Sequence, residues 1–220
     1  MSVAYQQFIA NKRHLLGNFG FDPVWMPECA FDFQEHIISK AVQKGRIGIF
    51  ADTGLGKTLI QVAIAENIVR HTNKRVLILT PLTVAFQFID EANRIGVGDI
   101  AHTKDGTLSS KIMVCNYERL HLLNPDDFFC VMLDESSILK NFAGKIRDQI
   151  VAFIKRVPYR FLSTATPSPN DFIELGNSSE ALGYMGYMDM LTKFFRSNQN
   201  SVDSNNRNIG EKFYLKPHAI

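Results

Sequence analysis

The stretch IFADTGLGKTLIQ, residues 49–61, constrains the fold more than any other part of the chain. A short apolar run enters a turn holding two glycines; a lysine, a threonine and a second apolar run leave it. Glycines let consecutive backbone N–H groups curl around phosphate oxygens, and the start of a following helix adds its positive dipole. Such a loop works only between a buried strand and a helix. RIGIF (46–50) supplies the strand. Ile60, Ile64 and Ile68 recur every four residues and predict a helix of about fourteen residues.

The same alternation continues. RVLILT (75–80), KIMVCN (111–116), FFCVMLDE (128–135) and YRFLSTAT (159–166) read as further buried strands. Helices are predicted from Phe33, with apolar residues at 33, 37, 38, 41 and 42, and over 83–95, with Phe86, Ile89 and Ala92 on one face. A third covers 140–155, with Phe142, Ile146, Ile150, Phe153 and Ile154 inward. Strands alternating with helices of this length imply an α/β fold, a parallel sheet with helices on both faces.

The flanks differ. Residues 3–15 read as a short polar helix, followed by the loop GNFGFDPVWMPEC. ALGYMGYMDMLTKFF (181–195) puts Leu182, Met185, Met188, Leu191 and Phe194 at helical steps, which suits a packed helix better than a binding surface. The Asn- and Ser-rich stretch 196–210 is expected to be a mobile loop. The closing FYLKPHAI resumes apolar residues and reads as cut rather than finished.

Apolar residues make up 45% and charged residues 21%, a balance that supports a core. A net charge of +2 provides no global basic field, so any nucleic-acid contact must come from local groups. Cys29, Cys115 and Cys130 are far apart and the six histidines are scattered, which argues against zinc or a disulfide framework and fits a reducing cytoplasm. No stretch reaches the ~18 apolar residues of a membrane span, and the N-terminus lacks a signal-peptide core.

Ala51 to Thr58 fits a small residue, four others, then Gly-Lys-Thr. In this reading Thr53, Gly54, Leu55 and Gly56 form the cradle, Lys57 reaches the β- and γ-phosphates, and the Thr58 hydroxyl binds Mg²⁺. A glycine-rich strand-to-helix turn with no ligand would look similar. Asp134 and Glu135 end a buried strand at the carboxyl edge of the sheet, where ligands bind. There Asp134 can hold Mg²⁺ through water, and Glu135 can orient and deprotonate the water that attacks the γ-phosphate. The acids would also suit a helix N-terminus.

Several segments carry a family resemblance. DESS followed by LKN resembles the second motif of superfamily-two helicases and translocases, and its Lys-Asn pair resembles the Swi/Snf-type branch. STATP (163–167) is similar to that branch's Thr-Gly-Thr-Pro and to the Ser-Ala-Thr of DEAD-box relatives. FDFQ places Gln34 where the family has its adenine-reading glutamine. LILTPLTVAFQF and MVCNYERL resemble segments that touch the nucleic-acid backbone, and the N-terminal stretch with KRH and GIFADTGLGKT looks most like bacteriophage-type Swi/Snf-like helicases.

The resemblance implies a first RecA-like lobe over 31–177, preceded by a helix and loop (1–30) and followed by a helical extension (178–220). It implies ATP and Mg²⁺ as cofactors, Gln34 at the adenine, and Thr80, Pro81, Leu82, Thr83, Gln87, Asn116 and Tyr117 along a nucleic-acid track, duplex DNA favoured over RNA. Ser137, Thr164, Ala165 and Thr166 would couple the track to Glu135. Two departures stand out. Ser137 replaces the family's histidine, and Thr53 stands in place of the usual Met-Gly of the Swi/Snf loop. The second lobe, with its arginine fingers, has no counterpart in these residues, so this lobe alone should hydrolyse ATP slowly. Another P-loop motor subunit, of restriction or loader type, and a non-catalytic docking module remain alternatives.

Overall fold

The computed structural model describes residues 19–137, 144–168, 172–198 and 212–215. The polar helix expected over 3–15 lies outside them, as does most of the loop expected over 196–210. In chain order the elements begin α1 (Asp32–Lys44), β1 (Arg46–Phe50), α2 (Lys57–Thr72), β2 (Val76–Thr80), α3 (Ala85–Arg94), β3 (Ile100–His102) and β4 (Ile112–Asn116). They continue with β5 (Cys130–Leu133), α4 (Gly144–Arg156), β6 (Tyr159–Thr164), α5 (Leu175–Leu182), α6 (Tyr187–Phe194), β7 (Phe195–Asn198) and β8 (Lys212–Leu215). The first six strands form one parallel sheet in the order β1-β6-β5-β2-β4-β3, and β7 and β8 form a small antiparallel pair.

Alternate residues along each inner strand feed opposite cores. Val76 and Ile78, Ile112 and Val114, and Cys130 and Met132 pack with Ile38, Ile60, Ile64 and Phe88 from α1, α2 and α3. Leu77 and Leu79, Met113 and Cys115, and Val131 and Leu133 pack on the other side with Ile150, Ile154 and Leu182 from α4 and α5. Burial on both faces is why these strands appear in sequence as unbroken apolar runs. The expected α/β fold, with a parallel sheet flanked by helices and a helical C-terminal extension, is the observed one.

Several local expectations need correction. Phe86, placed inward from its spacing, is 61% exposed, whereas Ala85, Phe88 and Ala92 are buried. The face that α3 buries is the one bearing Ala85, Phe88 and Ala92, and the 3.6-residue repeat puts Phe86 well away from it. Ile150, Phe153 and Ile154 of α4 are buried as expected; the side chains of Phe142 and Ile146 fall outside the described set. The helix over 181–195 is two helices. Gly183 adopts φ +79° and ends α5, and α6 starts afresh at Tyr187, leaving Met188 69% exposed. Residues 196–198, expected in a loop, belong to β7. The edge strand β3 had no sequence signal strong enough to read, because it is only three residues long. Helix α2 runs 16 residues and is buried nearly all round rather than along one stripe.

Within α2 the fully buried Asn67 ties the N-terminal loop to the core. Its Oδ1 accepts from the N–H groups of Val24 (2.8 Å) and Trp25 (3.0 Å), while its Nδ2 donates to the carbonyls of Trp25 and Ala63, both at 2.8 Å. The loop is further held by stacking of Phe21 on His71 and by Arg70 over the Trp25 ring. Substituting Asn67→Leu keeps the volume but strands two backbone N–H groups, at about 1–3 kcal/mol each. The variant should unfold at a clearly lower denaturant concentration; a midpoint matching the parent would mean the loop is not anchored through this amide.

Candidate functional site

In a parallel sheet with crossover helices every strand ends on the same side, so the loops that follow them gather at one edge. β1 runs into the glycine loop, β2 into residues 81–83, β5 into Asp134 and Glu135, and β6 into Ala165 and Thr166. Because β6 pairs with both β1 and β5, Thr164 stands between the loop strand and the acidic one.

The loop is shaped by left-handed backbone at Gly54 (φ +82°) and Gly56 (φ +73°). A Cβ at Gly54 would meet nothing within 4 Å, so its conformation rather than crowding calls for glycine. At Gly56 a Cβ would also lie 2.4 Å from Gln34 Nε2. The Asp52 carboxylate accepts from the Thr53 N–H at 2.7 Å and its hydroxyl at 3.2 Å. Lys57 Nζ donates to the carbonyls of Ala51 (3.1 Å) and Asp52 (3.0 Å). Thr58 follows in the first turn of α2.

Gln34 is only 4% exposed. Its Nε2 donates to the Leu55 carbonyl at 3.1 Å, and its Oε1 accepts from the Phe31 N–H at 3.0 Å. The amide therefore locks the glycine loop to the start of α1. A primary amide has two N–H groups and two lone pairs, so one donor and one acceptor position remain beyond these two bonds.

Asp134 is held at every polar atom. Gln61 Nε2 donates to Oδ1 at 2.9 Å and Thr80 Oγ1 to Oδ2 at 3.2 Å. The Tyr117 hydroxyl donates to its carbonyl at 2.7 Å, and its own N–H donates to the Leu79 carbonyl at 2.8 Å. Burial pushes the Asp134 carboxyl above the ordinary carboxylate range, and the bonds from Gln61 and Thr80 pull it back part of the way.

Glu135 adopts φ +53°, a left-handed conformation uncommon for a residue with a long side chain. Its Oε1 accepts from Thr164 Oγ1 at 2.7 Å and from the Ser137 hydroxyl. Thr164 Oγ1 accepts in turn from the Thr166 N–H at 3.0 Å. Ser137, from the turn after β5, and Thr164, at the end of β6, thus meet at one carboxylate, with Thr166 bonded behind Thr164 and Ala165 as the spacer between the two threonines.

The residues expected along a nucleic-acid track divide into two groups. Leu82, Thr83 and Gln87 are exposed and Pro81 is partly so. Thr80, Asn116 and Tyr117 are buried, and their side chains face inward. Thr80 and Tyr117 bond to Asp134, while Asn116 bonds to the Thr80 carbonyl at 3.4 Å and to His102 Nε2 at 3.2 Å. These three side chains are turned inward: Thr80 and Asn116 end their strands, Tyr117 follows directly after β4, and each supports Asp134 or its neighbour from behind. Gln61 was not anticipated at the site. Its only sequence signal is an amide set between apolar residues in α2.

Among the described residues no helix is long and apolar enough to cross a membrane. A family model described as DEAD/DEAH box helicase matches residues 31–174. The fold is similar to that of the Sulfolobus solfataricus SWI2/SNF2 ATPase core in complex with dsDNA, at 21% identity and a TM-score of 0.65, over 79% of this chain and 40% of that one. It is also similar to the UvsW helicase from bacteriophage T4, at 16% identity and a TM-score of 0.57, over 74% of this chain and 62% of that one. This chain thus spans less than two thirds of either structure. The likeness shows a shared RecA-like fold. No curated protein matches significantly. The chain belongs to the DEAD/DEAH box helicase family.

Proposed function

We propose that this chain is the first, ATP-binding lobe of an ATP-driven DNA translocase or helicase of the Swi/Snf-like type, 31–177 forming the lobe and 178–220 its extension. The observation that carries the reading is the Glu135 carboxylate, held by hydroxyls of Ser137 and Thr164 at the sheet edge that also bears the glycine loop. A docking module would have no need to hold a carboxylate there in strained backbone.

In this mechanism the left-handed loop presents its N–H groups, and Lys57 its ammonium, to the β- and γ-phosphates of ATP. The remaining donor and acceptor of Gln34 match the N6–H and N7 of adenine. The Thr58 hydroxyl and the Asp134 carboxylate are oxygen donors suited to a hard cation and would hold Mg²⁺, whose charge screens the phosphates when it is bound. Glu135 orients the attacking water and accepts its proton while the β–γ bond breaks, giving ADP and phosphate. Leu82, Thr83 and Gln87 are the exposed groups placed to meet a DNA backbone. Thr166 and Thr164 would carry its presence to Glu135, and Ser137 takes the position in which relatives use histidine. The likeness to a SWI2/SNF2 ATPase core in complex with dsDNA supports duplex DNA as the track. A second RecA-like lobe would complete the motor, and a cytoplasmic setting fits the reduced, scattered cysteines.

In the full-length protein, Glu135→Gln should retain ATP binding yet lower DNA-stimulated hydrolysis by about 10²–10⁴-fold; undiminished hydrolysis would sink the catalytic reading. Competition between nucleotides tests Gln34: the parent should prefer ATP to GTP, and Gln34→Ala should weaken ATP binding and erase the preference. Equal affinity in the parent would remove the adenine assignment.

The Asp134 shift gives a signed prediction. Because the folded-state value is raised, the folded chain takes up a proton at Asp134 more readily than the unfolded chain. Between the unfolded value of about 3.9 and the raised one, this group's contribution to stability therefore falls as pH rises. Asp134→Asn should unfold at higher denaturant than the parent at pH 7, with the gain shrinking toward pH 4, while losing Mg²⁺-dependent nucleotide binding.

A further inference from the structure

Helix α2 contains a buried amide that the glycine loop does not use. Gln61 has no exposed surface, and its neighbours Ile60, Val62, Ala63, Ile64 and Ala65 are buried and apolar. Its Nε2 donates to Asp134 Oδ1 at 2.9 Å, but its Oε1 is buried without a hydrogen-bond partner. An orphaned acceptor of this kind costs about 1–3 kcal/mol. An apolar side chain of the same length would avoid that cost and suit the surroundings, so packing does not account for the glutamine. What it supplies is a donor at one oxygen of Asp134, opposite the Thr80 hydroxyl at the other. The amide orientation follows from the partner, since turning Oε1 toward the carboxylate would oppose two acceptors.

We propose that Gln61 is a positioning residue that fixes the rotation of the Asp134 carboxylate and thereby sets how strongly the site holds a divalent cation. The assignment rests on the reading of Asp134 as a Mg²⁺ group. With Thr80 alone, the carboxylate turns about its last bond and its outward lone pairs lose their fixed direction. Outer partners of metal-holding carboxylates typically contribute 10–100-fold in metal affinity.

The test uses binding of a slowly hydrolysed ATP analogue to the chain, measured in Mg²⁺ and again in EDTA, and Mn²⁺ binding followed by electron paramagnetic resonance. Gln61→Met, apolar and of similar length, should lower the ratio of the two nucleotide affinities about tenfold or more and weaken Mn²⁺ binding to match. Gln61→Asn keeps the amide but falls a methylene short of Oδ1; it should show the same loss and serves if the Met variant does not fold. A parent whose nucleotide binding ignores Mg²⁺ would overturn the reading of the site and this assignment with it. Mg²⁺ dependence in the parent that survives intact in Gln61→Met or Gln61→Asn would overturn the assignment alone.

Discussion

A carboxylate placed at the rim of an apolar core is costly unless its oxygens are met by donors, and Asp134 is where this fold meets that condition. The carboxylate's donors are Gln61 from α2 and Thr80 from the end of β2, while Tyr117, from the turn after β4, donates to the Asp134 backbone carbonyl. Each arrives only if its own strand or helix is in register, since a slip of one residue along a strand sends a side chain to the opposite face. The network therefore ties the central strands β5, β2 and β4 to the helix that follows the glycine loop. Fold and site are specified together here: β2 needs its terminal hydroxyl at the height where β5 ends.

The glycine loop depends on a second contact of the same type. Gln34 spans the gap between α1 and the Leu55 carbonyl, and the space a side chain would need at Gly56 is taken by that amide. On the proposed reading, nucleotide recognition and loop shape thus share one residue. In that reading a base that engages the free positions of Gln34 acts on the loop's anchor as well as on its own ring.

Much of this was legible in the sequence for one physical reason. Strands buried on both faces and helices with a repeat of four leave clear apolar patterns, so β1, β2, β4, β5, β6 and α2 could be placed from composition alone. Phosphate loops and paired acids are also local in sequence. Less was legible where the controlling contact is distant. Thr80 and Asn116 end their strands in polar groups and Tyr117 follows β4, and nothing local distinguishes a group facing solvent from one turned inward. Phe86 was misassigned because its spacing to Ile89 fits one helical face, while the face that packs on the core is the one bearing Ala85, Phe88 and Ala92. The break at Gly183 went unread since glycine inside an apolar run is compatible with either a helix or its end. Gln61 was passed over because an amide in a buried helix makes sense only once its carboxylate partner, at the end of β5, is known.

The left-handed backbone at Glu135 has a consequence for how this protein would respond to selection. Glycine adopts that conformation freely, whereas a residue with a side chain holds it at the expense of stability. A screen for thermal robustness alone should therefore drift toward glycine at this position and, with it, away from hydrolysis on the proposed reading. A search that rewards activity should accept the less stable backbone. The turn that closes β5 is thus a place where robustness and turnover pull a library in opposite directions.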